Sequence, residues 1–108
     1  IGLEIVEQVP EFDSVVVPIG GGGLISGISI ALKGLNHSAK IIGCEPTSGD
    51  DTHQMYTANK RIEMTHRESV ADGLMAIVGH LTLPIIQENV DDIVLATEEE
   101  IIDATRLV

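Results

Sequence analysis

Apolar positions along the chain change spacing several times, and these changes predict the order of its elements. Residues 1, 3, 5 and 6 are apolar and indicate a short helix at the start of the sequence. Ser14–Val17 is rich in β-branched residues, as is typical of a buried parallel strand that Pro18 then ends. From Leu24 onward, apolar residues recur with helical spacing, and Gly34 is expected just beyond the end of that helix.

The rest of the chain repeats this alternation of strand and helix. Lys40–Cys44 is a second candidate for a buried strand, so a strand, a glycine turn, a helix and a strand follow within about thirty residues, the size of a βαβ unit. Thr97 and Glu100 have the spacing of a capping box and begin a last helix. The remaining predicted elements are a helix over Asp51–Ala58, a helix over Leu81–Glu88 and a strand over Asp92–Ala96. We expect one α/β domain in which a parallel sheet is flanked by helices.

Composition and charge narrow the classes of protein. The 108 residues are 44% apolar, which is enough for a packed core, and carry a formal net charge of −11. This charge argues against nucleic acid and against anionic membrane surfaces as partners. No apolar run is long enough to span a membrane. The single cysteine, Cys44, excludes an internal disulfide, fits a cytoplasmic protein and is expected in the core.

The two ends of the sequence suggest a piece of a longer protein. The chain opens on Ile1 within a helical pattern and stops at Val108 within another. We expect residues 1–108 to be part of a single domain that continues on both sides.

The sharpest local signal is the run Gly20–Gly23 between the first strand and the helix after it. Glycines let the backbone turn through positive φ and approach a ligand closely, and consecutive N–H groups before a helix favour an anion such as phosphate. A connection with no ligand is the plainer alternative. No Lys-Ser/Thr pair follows, so the turn is not a Walker A motif. Gly27 and the later Glu45 leave a Rossmann-type nucleotide site as the second interpretation.

A second informative stretch is acidic and follows the second strand. Glu45, Asp50 and Asp51 surround a short loop that contains Gly49. Carboxylates together with a loop carbonyl suit a hard cation such as Mg²⁺ or Ca²⁺. The alternative is helix capping, with Asp50 or Asp51 at the start of the next helix.

Several stretches resemble one enzyme family. Val17–Ile28 resembles the tetraglycine loop of fold-type II pyridoxal-phosphate (PLP) enzymes, in particular of the threonine dehydratase and serine racemase group. The other matching stretches, in the order of the family, are Ile42–Pro46, Val70–Leu74, Val90–Val94 and Thr97–Ile101. The resemblance implies a fragment of the large, cofactor-binding domain of a fold-type II (tryptophan synthase β-like) enzyme.

The resemblance also implies which residues bind the cofactor and a metal. The backbone N–H groups of the loop would hold the phosphate of PLP, and the turn Ala71-Asp72-Gly73 would bring its glycine near the cofactor ring. A divalent cation would bind the side chains of Glu45 and Asp51 and the carbonyl of Gly49, with water completing its shell. The predicted cofactor residues are Gly20, Gly21, Gly22, Gly23, Leu24 and Gly73.

The family joins its cofactor covalently to a lysine that this chain does not match. Lys33, Lys40 and Lys60 occupy other positions, so the resemblance assigns no catalytic residue here. The parent enzyme would act on a small amino acid, as a PLP-dependent dehydratase (ammonia-lyase) of serine, threonine or hydroxyaspartate or as a serine racemase, and would be a homo-oligomer. The fragment itself would be inactive. A stand-alone Rossmann-like nucleotide-binding module and a non-catalytic regulatory domain remain as alternatives.

Overall fold

Three parallel strands form one sheet in the computed structural model, which describes residues 1–63 and 68–108. The strands are β1 (Ser14–Pro18), β2 (Lys40–Pro46) and β3 (Asp92–Ala96). The helices are α1 (Gly2–Gln8), α2 (Gly23–Gly34), α3 (Asp51–Ala58), α4 (Thr82–Asn89) and α5 (Glu98–Leu107), and Thr47–Gly49 and Asp72–Leu74 are 3₁₀ turns. The predicted α/β fold with a parallel sheet is confirmed.

The order of the strands brings the ends of all three to one edge of the sheet. β2 lies between β1 and β3, with Val17 opposite Gly43 and Gly43 opposite Ile93. Because the strands are parallel, the segments that follow them all leave at the carboxyl edge. In open α/β sheets this edge is where ligands bind.

The two faces of the sheet differ in how they are covered. Val17, Ile41 and Ile93 lie on a buried face, whereas Val16 and Val94 on the opposite face are 59% and 42% exposed. We call the second the open face. Cys44 also lies there and is half-buried, so its expected place in the core is wrong. Parallel sheets ordinarily bury both faces, and the helices of this chain cover one.

The core is aliphatic and joins the buried face of the sheet to the helices. α2 contacts both α1 and α4, and α3 contacts α4 and β3. The buried side chains that the helices contribute include Ile25, Ile28 and Leu32 from α2, Met55 from α3, and Leu83 and Ile86 from α4. This packing holds the start of α2 against the start of α4.

Helix ends agree with the sequence in one case and differ in another. The Thr97 hydroxyl accepts the Glu100 N–H at 3.2 Å, and the Glu100 carboxylate accepts the Thr97 N–H at 2.8 Å, so the capping box is confirmed. Gly34 lies inside α2 rather than beyond it, and Asn36, with a φ of 52°, takes the left-handed conformation. Among the described residues, no helix has both the length and the apolar character that crossing a membrane requires.

Candidate functional site

The glycine loop, which we define as Gly20–Gly23, leaves the carboxyl end of β1 and leads directly into α2. Before it, the Ile19 N–H donates to the Cys44 carbonyl at 2.9 Å and extends the pairing of β1 with β2. Gly22 precedes the helix with a φ of 91° and is the single glycine of the described residues in the left-handed region. The expected turn through positive φ is therefore confirmed at one position.

Five consecutive backbone N–H groups at this turn have no acceptor among the described residues. Within the part of the chain that the structure describes, none of the residues Gly20 to Leu24 donates a backbone hydrogen bond. Gly22 is buried, and a buried N–H without a partner is rare in native proteins. These donors lie at the N-terminal end of α2, where they add to the positive end of its dipole, an arrangement that suits an anion.

The glycines of the loop differ in how much space surrounds them. A Cβ on Gly20 would lie 3.2 Å from the Gly73 carbonyl oxygen, so the turn Asp72–Leu74 packs against the loop. A Cβ on Gly22 would lie 2.8 Å from Thr82 Oγ1. By contrast, a Cβ on Gly23 would meet no protein atom within 4 Å. Protein therefore backs two of the glycines, while Gly23 faces open space that a ligand can occupy.

Sequence reasoning missed Thr82, the first residue of α4. Its hydroxyl lies 2.7 Å from the Gly21 carbonyl oxygen and accepts the Gly79 N–H at 3.0 Å. The Gly79 N–H also lies 3.1 Å from the same Gly21 oxygen. The two residues joined by the hydroxyl are 61 positions apart, and no short motif connects them.

Glu45, the last residue but one of β2, lies on the buried face of the sheet and caps the next helix. It is 1% exposed, and its two carboxylate oxygens accept the N–H groups of Thr52 at 3.2 Å and His53 at 2.9 Å. The capping alternative assigned this role to an aspartate at the start of α3. Asp50, the N-cap residue, makes no capping bond, and its carboxylate accepts the Gln54 side chain instead. Glu45 takes the place of Asp50 as the cap because β2 ends directly beside the first amides of α3.

Asp51 is fully buried near Glu45, and its carboxylate accepts the Val78 N–H at 3.0 Å. Burial raises the pKa of Glu45 to about 7 and repulsion from Asp51 adds to the effect, while hydrogen bonds from Thr52 and His53 act against it. Within residues 1–63 and 68–108, no cationic side chain pairs with Glu45. A bound cation would relieve the cost of two neighbouring buried carboxylates.

The donors available here suit Mg²⁺ or Ca²⁺ rather than zinc. In the described part of the chain, no three side chains of His, Cys, Asp or Glu come together to hold a metal. The set consists of two carboxylates, with the carbonyl of the buried Gly49 lying between them in the chain. Oxygen ligands completed by water are what hard cations prefer. The residues fit the predicted metal, and its binding stays a prediction.

The structure weakens the nucleotide interpretation. A dinucleotide site needs an acidic side chain that can reach a ribose, and Glu45 was the candidate. Glu45 is 1% exposed on the buried face of the sheet, so a ribose bound outside the sheet cannot reach its carboxylate.

Glu98 connects the loop between β2 and α3 with the segment that precedes Gly73. The Glu98 carboxylate, at the start of α5, accepts the Ser48 hydroxyl and the Val70 N–H, each at 2.9 Å. A hydrogen bond from the Ser69 side chain, together with these two, lowers the pKa of Glu98. Glu98, the first residue of α5, therefore ties the loop between β2 and α3 to the segment that leads to Gly73.

Comparison with known proteins identifies the family of the chain. Residues 1–108 match the family model described as "Pyridoxal-phosphate dependent enzyme". The chain belongs to the pyridoxal-phosphate-dependent enzyme family. The resemblance seen in the tetraglycine loop is thereby confirmed, and the parallel sheet is that of fold-type II members.

Similar members of the family are serine racemases and threonine deaminases. The chain is 43% identical to a serine racemase of Oryza sativa subsp. indica over 107 residues, which cover 99% of the chain and 32% of that relative. The structure of maize serine racemase matches with a TM-score of 0.94 and 43% identity, over 98% of this chain and 33% of the other. The structure of a threonine deaminase of T.th. matches with a TM-score of 0.91 and 33% identity, over 98% and 41%. The chain thus spans about a third of the length of the curated relatives.

Proposed function

We propose that this chain is the phosphate-binding part of a PLP-dependent enzyme that dehydrates a hydroxy-amino acid (an ammonia-lyase) or racemises serine. The observation that carries the proposal is the row of five unpaired N–H groups from Gly20 to Leu24, at the start of α2. Family membership indicates which anion binds there, because the phosphate is the part of PLP that such a site recognises.

The role of the chain is to bind and to orient. The loop amides hold the phosphate, and the turn at Gly73, packed against Gly20, borders the space next to it. When bound, PLP withdraws electron density from the Cα atom of an amino-acid substrate. Glu45, Gly49 and Asp51 would hold a divalent cation that braces the second loop at the same edge of the sheet.

The substrate class follows from the relatives. Serine racemases and threonine deaminases act on small amino acids that carry a β-hydroxyl, so we infer serine, threonine or hydroxyaspartate as substrate classes for the full-length protein. We also infer a homo-oligomer. The fragment would be inactive without the rest of the enzyme.

Replacing Gly23 with alanine tests the proposal directly. Because its Cβ would meet open space and alanine favours helices, we expect unchanged or slightly higher thermal stability. If the phosphate occupies that space, the added methyl group lowers the affinity of the full-length protein for PLP at least about tenfold, or about 1.4 kcal/mol. The measurement is a PLP titration of the apoenzyme, followed by absorbance.

Gly27→Ala is the matched control. Gly27 lies one turn further along α2, has the same open surroundings, and lines the same groove of about 660 Å³ between α1 and α2. The Gly27→Ala variant should bind PLP with the affinity of the wild type. Equal PLP affinity in both variants and the wild type would contradict the proposal. NAD binding in place of PLP would favour the nucleotide module, and binding of neither would favour a regulatory domain.

The lysines of this chain lie away from the loop or on the surface. Lys33 stands ten residues after Gly23 in α2, which places it about 15 Å along the helix axis. Lys40 opens β2 at the amino edge of the sheet, opposite the loop. Lys60 is exposed beyond the end of α3. We therefore infer that the lysine that binds PLP covalently is supplied by another part of the protein.

Borohydride trapping checks this inference. After reduction of the full-length protein with PLP, peptide mass mapping should find the stoichiometric pyridoxyl label outside residues 1–108. Sparse labelling of exposed lysines is compatible with the prediction. A stoichiometric label on Lys33, Lys40 or Lys60 would refute it.

A further inference from the structure

We propose that Thr82 is a positioning residue whose hydroxyl aims the Gly22 N–H at the phosphate of PLP. The proposal rests on the phosphate-binding role of the glycine loop. It starts from the contact between the first residue of α4 and the Gly21 carbonyl oxygen, at 2.7 Å.

The hydroxyl proton has one preferred acceptor. Thr82 Oγ1 lies 2.7 Å from the Gly21 oxygen and 3.3 Å from the Gly79 oxygen, and a hydroxyl has a single proton to donate. The shorter contact is the stronger bond. The hydroxyl also accepts the Gly79 N–H at 3.0 Å, so its position is set from two sides.

The Gly21 carbonyl belongs to the same planar peptide unit as the Gly22 N–H. In a trans peptide these two groups point in opposite directions. Holding the carbonyl toward Thr82 therefore turns the Gly22 N–H away from α4. That N–H is one of the five donors without a protein acceptor, and Gly22 itself is buried. The hydroxyl thus orients a donor that it does not touch.

Without the hydroxyl the peptide unit loses this constraint. A valine at position 82 has nearly the same shape but cannot donate to the Gly21 oxygen, which then keeps only the Gly79 N–H at 3.1 Å. Glycines on both sides of the peptide bond allow the unit to rotate, so the Gly22 N–H no longer has a fixed direction.

The test compares two ligands that differ only in the phosphate. Affinities of the full-length apoenzyme for PLP and for pyridoxal give a ratio that reports the contribution of the loop. In Thr82→Val this ratio should fall about three- to tenfold, the effect of one hydrogen bond, while the affinity for pyridoxal stays unchanged. Thr82→Ser keeps the hydroxyl and should keep the ratio of the wild type. A general loosening of the fold would weaken both ligands alike.

Each outcome decides a different point. A wild-type ratio in Thr82→Val overturns the role of Thr82 and leaves the phosphate loop intact. Equal losses in the valine and serine variants overturn the hydroxyl as the cause, because the serine variant keeps it. A wild-type enzyme that does not prefer PLP over pyridoxal overturns the proposed function itself. If Thr82→Val does not fold, Thr82→Ala removes the same hydroxyl without placing a methyl group beside the Gly21 oxygen, and the same ratio decides.

Discussion

Gly22→Ala is expected to cause the largest loss of cofactor among single changes in the loop. The φ of 91° at this position costs a non-glycine residue about 1–2 kcal/mol. The new Cβ would also lie 2.8 Å from Thr82 Oγ1 and 3.0 Å from Ile86 Cδ1, so either α4 or the loop has to move. Movement of the loop would displace the amides that we propose hold the phosphate. We expect at least about a tenfold loss of PLP affinity together with a lower free energy of unfolding.

Gly21→Ala is the control for this change. A Cβ on Gly21 would find only Ala76 Cβ, at 3.9 Å, an ordinary van der Waals contact, and its φ lies outside the left-handed region. We expect PLP affinity within about threefold of the wild type, because this side of the residue faces protein. Denaturant unfolding and PLP titration of the two full-length variants make the comparison. Wild-type affinity in Gly22→Ala would show that the loop does not hold the phosphate.

The second large effect is expected from a divalent cation. Mg²⁺ or Ca²⁺ should stabilise the full-length protein by about 2.7 kcal/mol when its concentration is a hundredfold above Kd. Asp51→Asn should remove this stabilisation, because an amide oxygen is a much weaker ligand than a carboxylate. The asparagine can still accept the Val78 N–H that Asp51 accepts at 3.0 Å, so this contact of the metal-free fold is kept. Thermal melting with the metal and with a chelator measures the difference.

Asp50→Asn provides the matched charge change one residue earlier. The Asp50 carboxylate accepts the Gln54 side chain and is not among the predicted ligands, so this variant should respond to the metal as the wild type does. If Asp51→Asn also responds like the wild type, Glu45 and Asp51 are structural carboxylates and the cation binds elsewhere or not at all.

The pH dependence of the metal effect has a definite sign. In the metal-free fold the pKa of Glu45 is raised from 4.5 to about 7, so between these values the folded state binds a proton that the unfolded chain releases. Stability of the metal-free protein should therefore decrease as pH rises from about 5 to 7. A cation has to displace that proton, so the stabilisation by metal should grow over the same range.

Local sequence patterns predicted the helices and strands well, because each of these patterns involves only residues that are neighbours in the chain. The capping box of Thr97 and Glu100 and the glycine run between a strand and a helix are complete within a few positions. The open face of the sheet was beyond such reasoning. The apolar run Val15–Val17 indicates a strand buried on both sides, whereas Val16 is exposed because no helix among the described residues packs over it.

The site was predictable in its residue types and not in its contacts. Which carboxylate caps α3 depends on the end of β2 lying beside the helix, and this geometry favours Glu45 over Asp50. The support of the glycine loop by Thr82 depends on how α2 and α4 pack together. Both contacts come from tertiary structure, and no spacing in the sequence encodes them.

The bond between Thr82 and Gly21 also affects when the cofactor can be captured. The two residues are 61 positions apart, and contacts at such a separation form only after the intervening chain has closed into a loop. During synthesis the chain emerges from its N-terminal end, so the glycines leave the ribosome well before α4 does. On this basis a nascent chain that ends before Thr82 has the glycines without their support. The proposed phosphate site would then be complete only in chains whose sheet is already assembled.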